Sequence, residues 1–189
     1  MRRFLLLLVC LPACRDQAGN VDMDVAVASA DSVVWGEDRI RSGGHTGSPD
    51  RIFLERLLDH YQGLEYLAER IRQTSTVTAV RRDAWRFDQR GAAERHEVDA
   101  LLHRLYDERY LPLVPEEFRV VAAAIGDLPP DQQARALLEF VNRHQEEDLA
   151  RIDRILPRLE HDEVRELARE LRRDQRRDLR VFARRLARD

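Results

Sequence analysis

The sequence predicts an all-α protein, an antiparallel four-helix bundle of two tandem helical hairpins with a short connecting helix. Three observations carry this. Apolar residues recur at three-and-four spacing through four long segments, each giving one greasy helix face. Prolines and glycines break the chain between those segments at positions that leave two hairpins. Leu, Ala, Arg and Glu dominate a composition that is 43% hydrophobic and 35% charged. The 189 residues suffice for one sizeable core.

The net charge of -3 arises from interleaved arginines and acids rather than from blocks. That pattern suits solvated helix faces and argues against a nucleic-acid partner. The chain has no lysine, so all of its basic charge is arginine.

At the N-terminus, Met1-Arg2-Arg3 followed by the apolar run Phe4 to Leu11 reads as an export signal, too short for a permanent membrane span. It ends in Leu11-Pro12-Ala13-Cys14, which resembles a bacterial lipobox. Residues 1–14 are therefore read as a signal peptide, with Cys14 the lipidated first residue of the mature protein. The alternative is an ordinary signal peptide that leaves Cys14 a free thiol. The expected location is the cell envelope, lipid-anchored and facing the periplasm or exterior. Cys10 would leave with the signal, so no intramolecular disulfide remains and the core must hold the fold. Residues 15–47 show no sustained period and carry the flexible stretch 42–48, so they are read as a tether that includes His45.

The bundle domain is expected over 48–189, with repeats at about 48–110 and 130–189. Ser48-Pro49-Asp50 supplies an N-cap, a proline at the first helical position and an early acid, starting a helix that runs to about Gln73. Its seam is Phe53, Leu57, Leu64, Leu67 and Ile71, with His60 where the next apolar residue belongs. The second helix follows Ser75-Thr76 with the seam Val80, Ala84, Phe87, Gly91, Glu94, Val98, Leu101 and Leu105. Pro112 and Pro115 interrupt the chain, Glu116 to Ile125 makes a short connecting helix stopped by Gly126, and Pro129-Pro130 is the next break. The third long helix carries His144, Asp148, Ile152 and Ile155 and ends near Pro157. The fourth starts near Asp162 with the seam Val164, Ala168, Leu171, Gln175, Phe182 and Leu186.

Four seam positions are thus polar: His60, Glu94, His144 and Gln175. Counted outward from each hairpin loop, they fall at similar heights and would share one layer, with Asp59, Glu97, Asp148 and Asp178 within a turn. His60 and His144 taken singly read as neutral core histidines, the latter hydrogen-bonded to Asp148 four residues on. Glu94 among apolar neighbours needs a counter-cation or a metal. Gln175 reads as a register-fixing hydrogen bonder. His96 and His103, seven apart on another face with Asp99 between them, read as ordinary surface, with an exposed metal pair as the alternative, and His161 reads as a cap in an interhelical turn.

Asp50-Arg51-Ile52-Phe53-Leu54, Asp59-His60-Tyr61-Gln62-Gly63-Leu64, Glu97-Val98-Asp99, Tyr106 through Tyr110-Leu111-Pro112, Val141-Asn142-Arg143-His144, Ile152-Asp153, Leu156-Pro157 and Asp174-Gln175 together resemble the domain of unknown function 305 family. The likeness covers nearly all of 48–189 in order. It implies an exported, ferritin-like bundle, a family in which some members are associated with copper. The chain departs from the family pattern of a His-His pair in each repeat: Tyr61 and Gln145 stand at the second positions. Leu57, Leu58, Leu67 and Arg151 replace methionine-type residues, and Met23 is the only methionine after the signal. A histidine and carboxylate site suits Zn(II), Cu(II) or iron rather than Cu(I).

Nucleophile constellations, phosphate loops and the paired Glu-x-x-His ligands of di-iron bundles do not appear in the sequence, so a non-catalytic role is expected. The favoured role is an envelope module whose polar layer specifies packing and which binds another envelope protein. The alternative is a copper- or zinc-binding protein using His60, His144, Glu94, Glu97 and Asp178.

Overall fold

A computed structural model describes residues 47–186. Residues 1–46, which hold the signal and all of the tether but Gly47, with Cys14, Met23 and His45, lie outside the described residues, as do the side chains of Phe87, Phe182 and Leu186. Among the described residues all regular structure is helical: α1 (Pro49–Thr74), α2 (Thr78–Tyr106), the short α3 (Glu116–Asp127), α4 (Pro130–Ile155) and α5 (Asp162–Leu186). A 3-10 turn at Leu156–Arg158 follows α4.

The helix limits follow local chemistry. Ser48 caps α1, its Oγ accepting from the Arg51 N–H at 3.3 Å, and Pro49 takes the first helical position, where a missing N–H costs nothing. Pro115 and Pro129 precede α3 and α4, and Pro157 lies in the 3-10 turn that closes α4. Asp107 ends α2 in the left-handed region at φ 54, a conformation that a short acidic side chain tolerates.

α1 pairs with α2, α4 pairs with α5, and α3 crosses α1 and reaches α4. Two apolar clusters result. One joins the later turns of α1 and the start of α2 to α3 and the first half of α4, through residues such as Leu67, Ile71, Val80, Phe118 and Leu137. The other joins the start of α1 to the end of α2, the end of α4 and the start of α5, through Leu54, Leu58, Leu102, Ile152 and Val164. Each fully buried side chain of this kind contributes about 1.5–3 kcal/mol. His144 falls between the residues that α4 gives to the two clusters, and His60 falls near the end of the stretch that α1 gives to the second.

Two buried carboxylates tie the connections down. Asp50, with no exposed surface, accepts hydrogen bonds from the backbone N–H groups of Glu160 and His161, both at 2.9 Å, and pairs with His161 Nδ1 at 2.6 Å. The expected cap at His161 is therefore a clamp between the start of α1 and the turn before α5. Asp59 accepts from the Leu113 N–H at 2.8 Å and the Tyr110 hydroxyl at 3.0 Å, which fixes the segment entering α3. Burial raises the Asp59 carboxyl above its ordinary range despite these two donors, and it raises Tyr110 as well.

Gly63 lets α3 sit this close. A methyl added there would be driven into the Phe118 ring, which is fully buried and packs edge-on against His60 and His144. At Gly91 the same methyl would meet only Tyr61 Cδ1, at an ordinary 3.9 Å. Gly63→Ala is therefore expected to destabilise the protein by about 1–3 kcal/mol through overpacking. Gly91→Ala should be neutral or stabilise by about 0.5–1 kcal/mol through reduced chain entropy. Urea unfolding of the two variants checks this, and equal shifts would show that Phe118 does not bear on Gly63.

Candidate metal centre

α1 delivers His60 and α4 delivers His144 and Asp148, one helical turn apart on the same face. All three are buried, at 8%, 5% and 6% exposure. His60 Nδ1 lies 3.0 Å from His144 Nε2, while Asp148 Oδ2 lies 3.3 Å from the first nitrogen and 3.4 Å from the second. The two imidazoles are nearly parallel, with centroids 5.0 Å apart. Tyr61, Phe118 and Phe140 pack around them.

The protonation states follow from this burial. Desolvation pushes His144 down to about 4, with His60, Arg151 and Arg143 adding to the effect and Asp148 opposing it. Burial also works against ionised Asp148. His144, His60 and Arg151 more than offset it and hold the carboxyl below its ordinary value. At neutral pH the site therefore presents a neutral His144 and an ionised Asp148, the forms that bind metals. One N–H shared between the two nitrogens satisfies that pair and leaves nothing for the carboxylate. Asp148 Oδ2 is accordingly buried without a hydrogen-bond partner, although Asp148 Oδ1 accepts from Arg151 Nη1 at 2.9 Å.

Of the residues expected from the seam, the structure brings His60 and His144 together. Among the described residues they form, with Asp148, a metal-capable group whose ligand atoms all lie within 4.8 Å of one another. Glu94, Glu97 and Asp178 fall outside that group. Glu97 is exposed on α2 and Glu94 is half-buried; Asp178 is buried on α5 beside Arg177, 3.7 Å from its Nε. Counting from hairpin loops fixes height along a bundle but not which side chains meet. Gln175 is half-buried with its Oε1 unpaired, and His96 and His103 are exposed. Phe118 was missed because α3 reads as a connector. Asp148 is legible in the sequence as the residue four beyond His144 and within a turn of the polar layer, but not as a ligand.

The same arrangement of helices is found in a solved protein. The crystal structure of a DUF305 fragment from Deinococcus radiodurans superposes with a TM-score of 0.62 at 24% identity, covering 76% of this chain and 98% of that one. The fold is of the DUF305 type. No protein-family model and no curated protein matches the chain. Within this DUF305-type fold, the donors that converge are two imidazoles and a carboxylate.

The lowered His144 has a consequence for stability. Between its ordinary value near 6.5 and about 4, the unfolded chain binds a proton that folded His144 refuses, so stability falls as pH falls. The loss reaches about 3 kcal/mol across that window. Asp59 and Glu117, both raised by burial, act in the opposite direction. The His144 part is thus isolated by difference: in metal-free buffer, the stability advantage of the wild type over His144→Gln should shrink steadily from pH 6.5 to 4.5. A constant gap would show that His144 takes up its proton as readily in the folded as in the unfolded state.

Proposed function

We propose that this protein is a metal-binding module holding one divalent ion, zinc or copper(II), on His60, His144 and Asp148 within a ferritin-like four-helix bundle. The observation that carries this is the unpaired Asp148 Oδ2, buried and facing two imidazole nitrogens at 3.3 and 3.4 Å. Leaving such an atom unsatisfied costs about 1–3 kcal/mol. Donors on a tetrahedral zinc ion sit roughly 3.3 Å apart, given bonds of about 2.0–2.1 Å. The triangle here has edges of 3.0, 3.3 and 3.4 Å. It therefore needs little rearrangement to take such an ion.

The donor set speaks against Cu(I), because residues 47–186 contain no cysteine or methionine. Tyr61, Phe118 and Phe140 close around the imidazoles, which supports holding an ion rather than turning over a substrate. When bound, the ion would supply the positive charge that satisfies Asp148 and both nitrogen lone pairs. The Cys14 lipobox supports display of the module at the cell envelope, on a lipid anchor and the 15–47 tether.

Zinc added at a hundred times its dissociation constant should stabilise the fold by about 2.7 kcal/mol, seen as a rise in Tm. His60→Ala, His144→Ala and Asp148→Ala should each abolish the rise, while Glu97→Ala should keep it. An unshifted wild type would leave the layer as a packing device only.

Replacing Cys14 by Ser should release the protein from the membrane fraction or block its maturation. A Cys14→Ser protein that is processed normally and stays equally membrane-bound would overturn the anchor.

A further inference from the structure

Beside the three donors, Arg151 lies one turn beyond Asp148 on α4, its side chain only 16% exposed. Its Nη1 contacts Asp148 Oδ1 at 2.9 Å and its Nη2 contacts Glu147 Oε2 at 3.1 Å. Glu117, in the first turn of α3, is half-buried and feels the charges of the same cluster. Burial raises its carboxyl, Arg151 pulls it back, and Asp148 and Glu147 push it further up. Asp148 is therefore a two-sided carboxylate: Oδ2 points at the histidines and Oδ1 at a guanidinium.

With the proposed ion on the Oδ2 side, Asp148 would lie between two positive centres, the bridging arrangement of two-metal carboxylate sites in helical bundles. Here one of the two places is already filled by a side chain. We infer that the Arg151 guanidinium stands in for a second metal ion and so limits the centre to one ion. The inference rests on the metal-binding function proposed above. It assigns Arg151 a role in specificity: neutralising Asp148, Glu147 and Glu117 from within, the guanidinium denies that charge to a second cation. The partners its guanidinium meets at 2.9 and 3.1 Å are carboxylate oxygens, so the ion it excludes is a hard one such as Mn(II), whereas the histidine side suits zinc.

Equilibrium dialysis of the purified protein against Zn(II) and Mn(II) together, followed by elemental analysis, tests this. The wild type should retain one zinc and no manganese per chain. Arg151→Ala should retain one zinc and one manganese, and Arg151→Lys, which keeps the positive charge, should return to zinc alone. Adding Glu117→Gln to Arg151→Ala should weaken the manganese by at least tenfold, while Glu117→Gln alone leaves the zinc in place. If Arg151→Ala does not fold by circular dichroism, Arg151→Gln, which keeps most of the volume and a donor for Asp148 without the charge, is read in its stead. A wild type with one zinc and a neutral variant that still takes one ion would overturn the Arg151 inference and leave the metal centre standing. A wild type that retains no ion would remove the centre itself.

Discussion

The apposition of α1 and α4 at His60, His144 and Asp148 constrains the rest of the structure. Two imidazoles and a carboxylate lose their water there, and nothing apolar can replace it. The surrounding chain is arranged to make that tolerable. Aromatic rings pack on the imidazoles, Arg151 neutralises one carboxylate oxygen, and Gly63 lets Phe118 close the side. One oxygen is left over. A polar layer of pure packing value would be expected to satisfy every member, since a half-satisfied network is worse than an apolar core.

Much of the fold was legible because its breaks are chemical. Ser48-Pro49, Pro115, Pro129-Pro130 and Pro157 mark helix limits by rules that hold whatever the tertiary context, and the structure has helices starting or ending at each of them. His60 and His144 were legible as polar residues interrupting greasy seams. The acids were not. Glu94 interrupts the α2 seam, and Glu97 and Asp178 stand within a turn of the polar layer, but which acid meets the imidazoles is set by packing that periodicity does not report. The spacing of Asp148 from His144 already has a local explanation as a hydrogen bond, so the sequence alone does not mark it as a ligand.

The short α3 shows what a connector can hide. Its sequence is a brief apolar patch between two proline breaks, and nothing in it marks a functional wall. Fixed at its entry by the contacts of Tyr110 and Leu113 with Asp59, it places Phe118 against both histidines and brings Glu117 within the field of Arg151. The buried Asp59 thus serves a site that it does not touch, by deciding where the crossover enters.

The Asp50 clamp has a kinetic consequence. It joins residues 110 and 111 positions apart, and the contact between His60 and His144 spans 84. Closing loops of that length comes after the local pairing of α1 with α2 and of α4 with α5, because nearby contacts form at less entropic cost. The two hairpins should therefore exist before they dock, and the three donors meet only at docking. Loss of the clamp would act mainly on how fast the hairpins part, leaving their formation nearly untouched. An ion taken up by this centre would then arrive last and lengthen the lifetime of the docked state, making the metal a brake on unfolding rather than a template for folding.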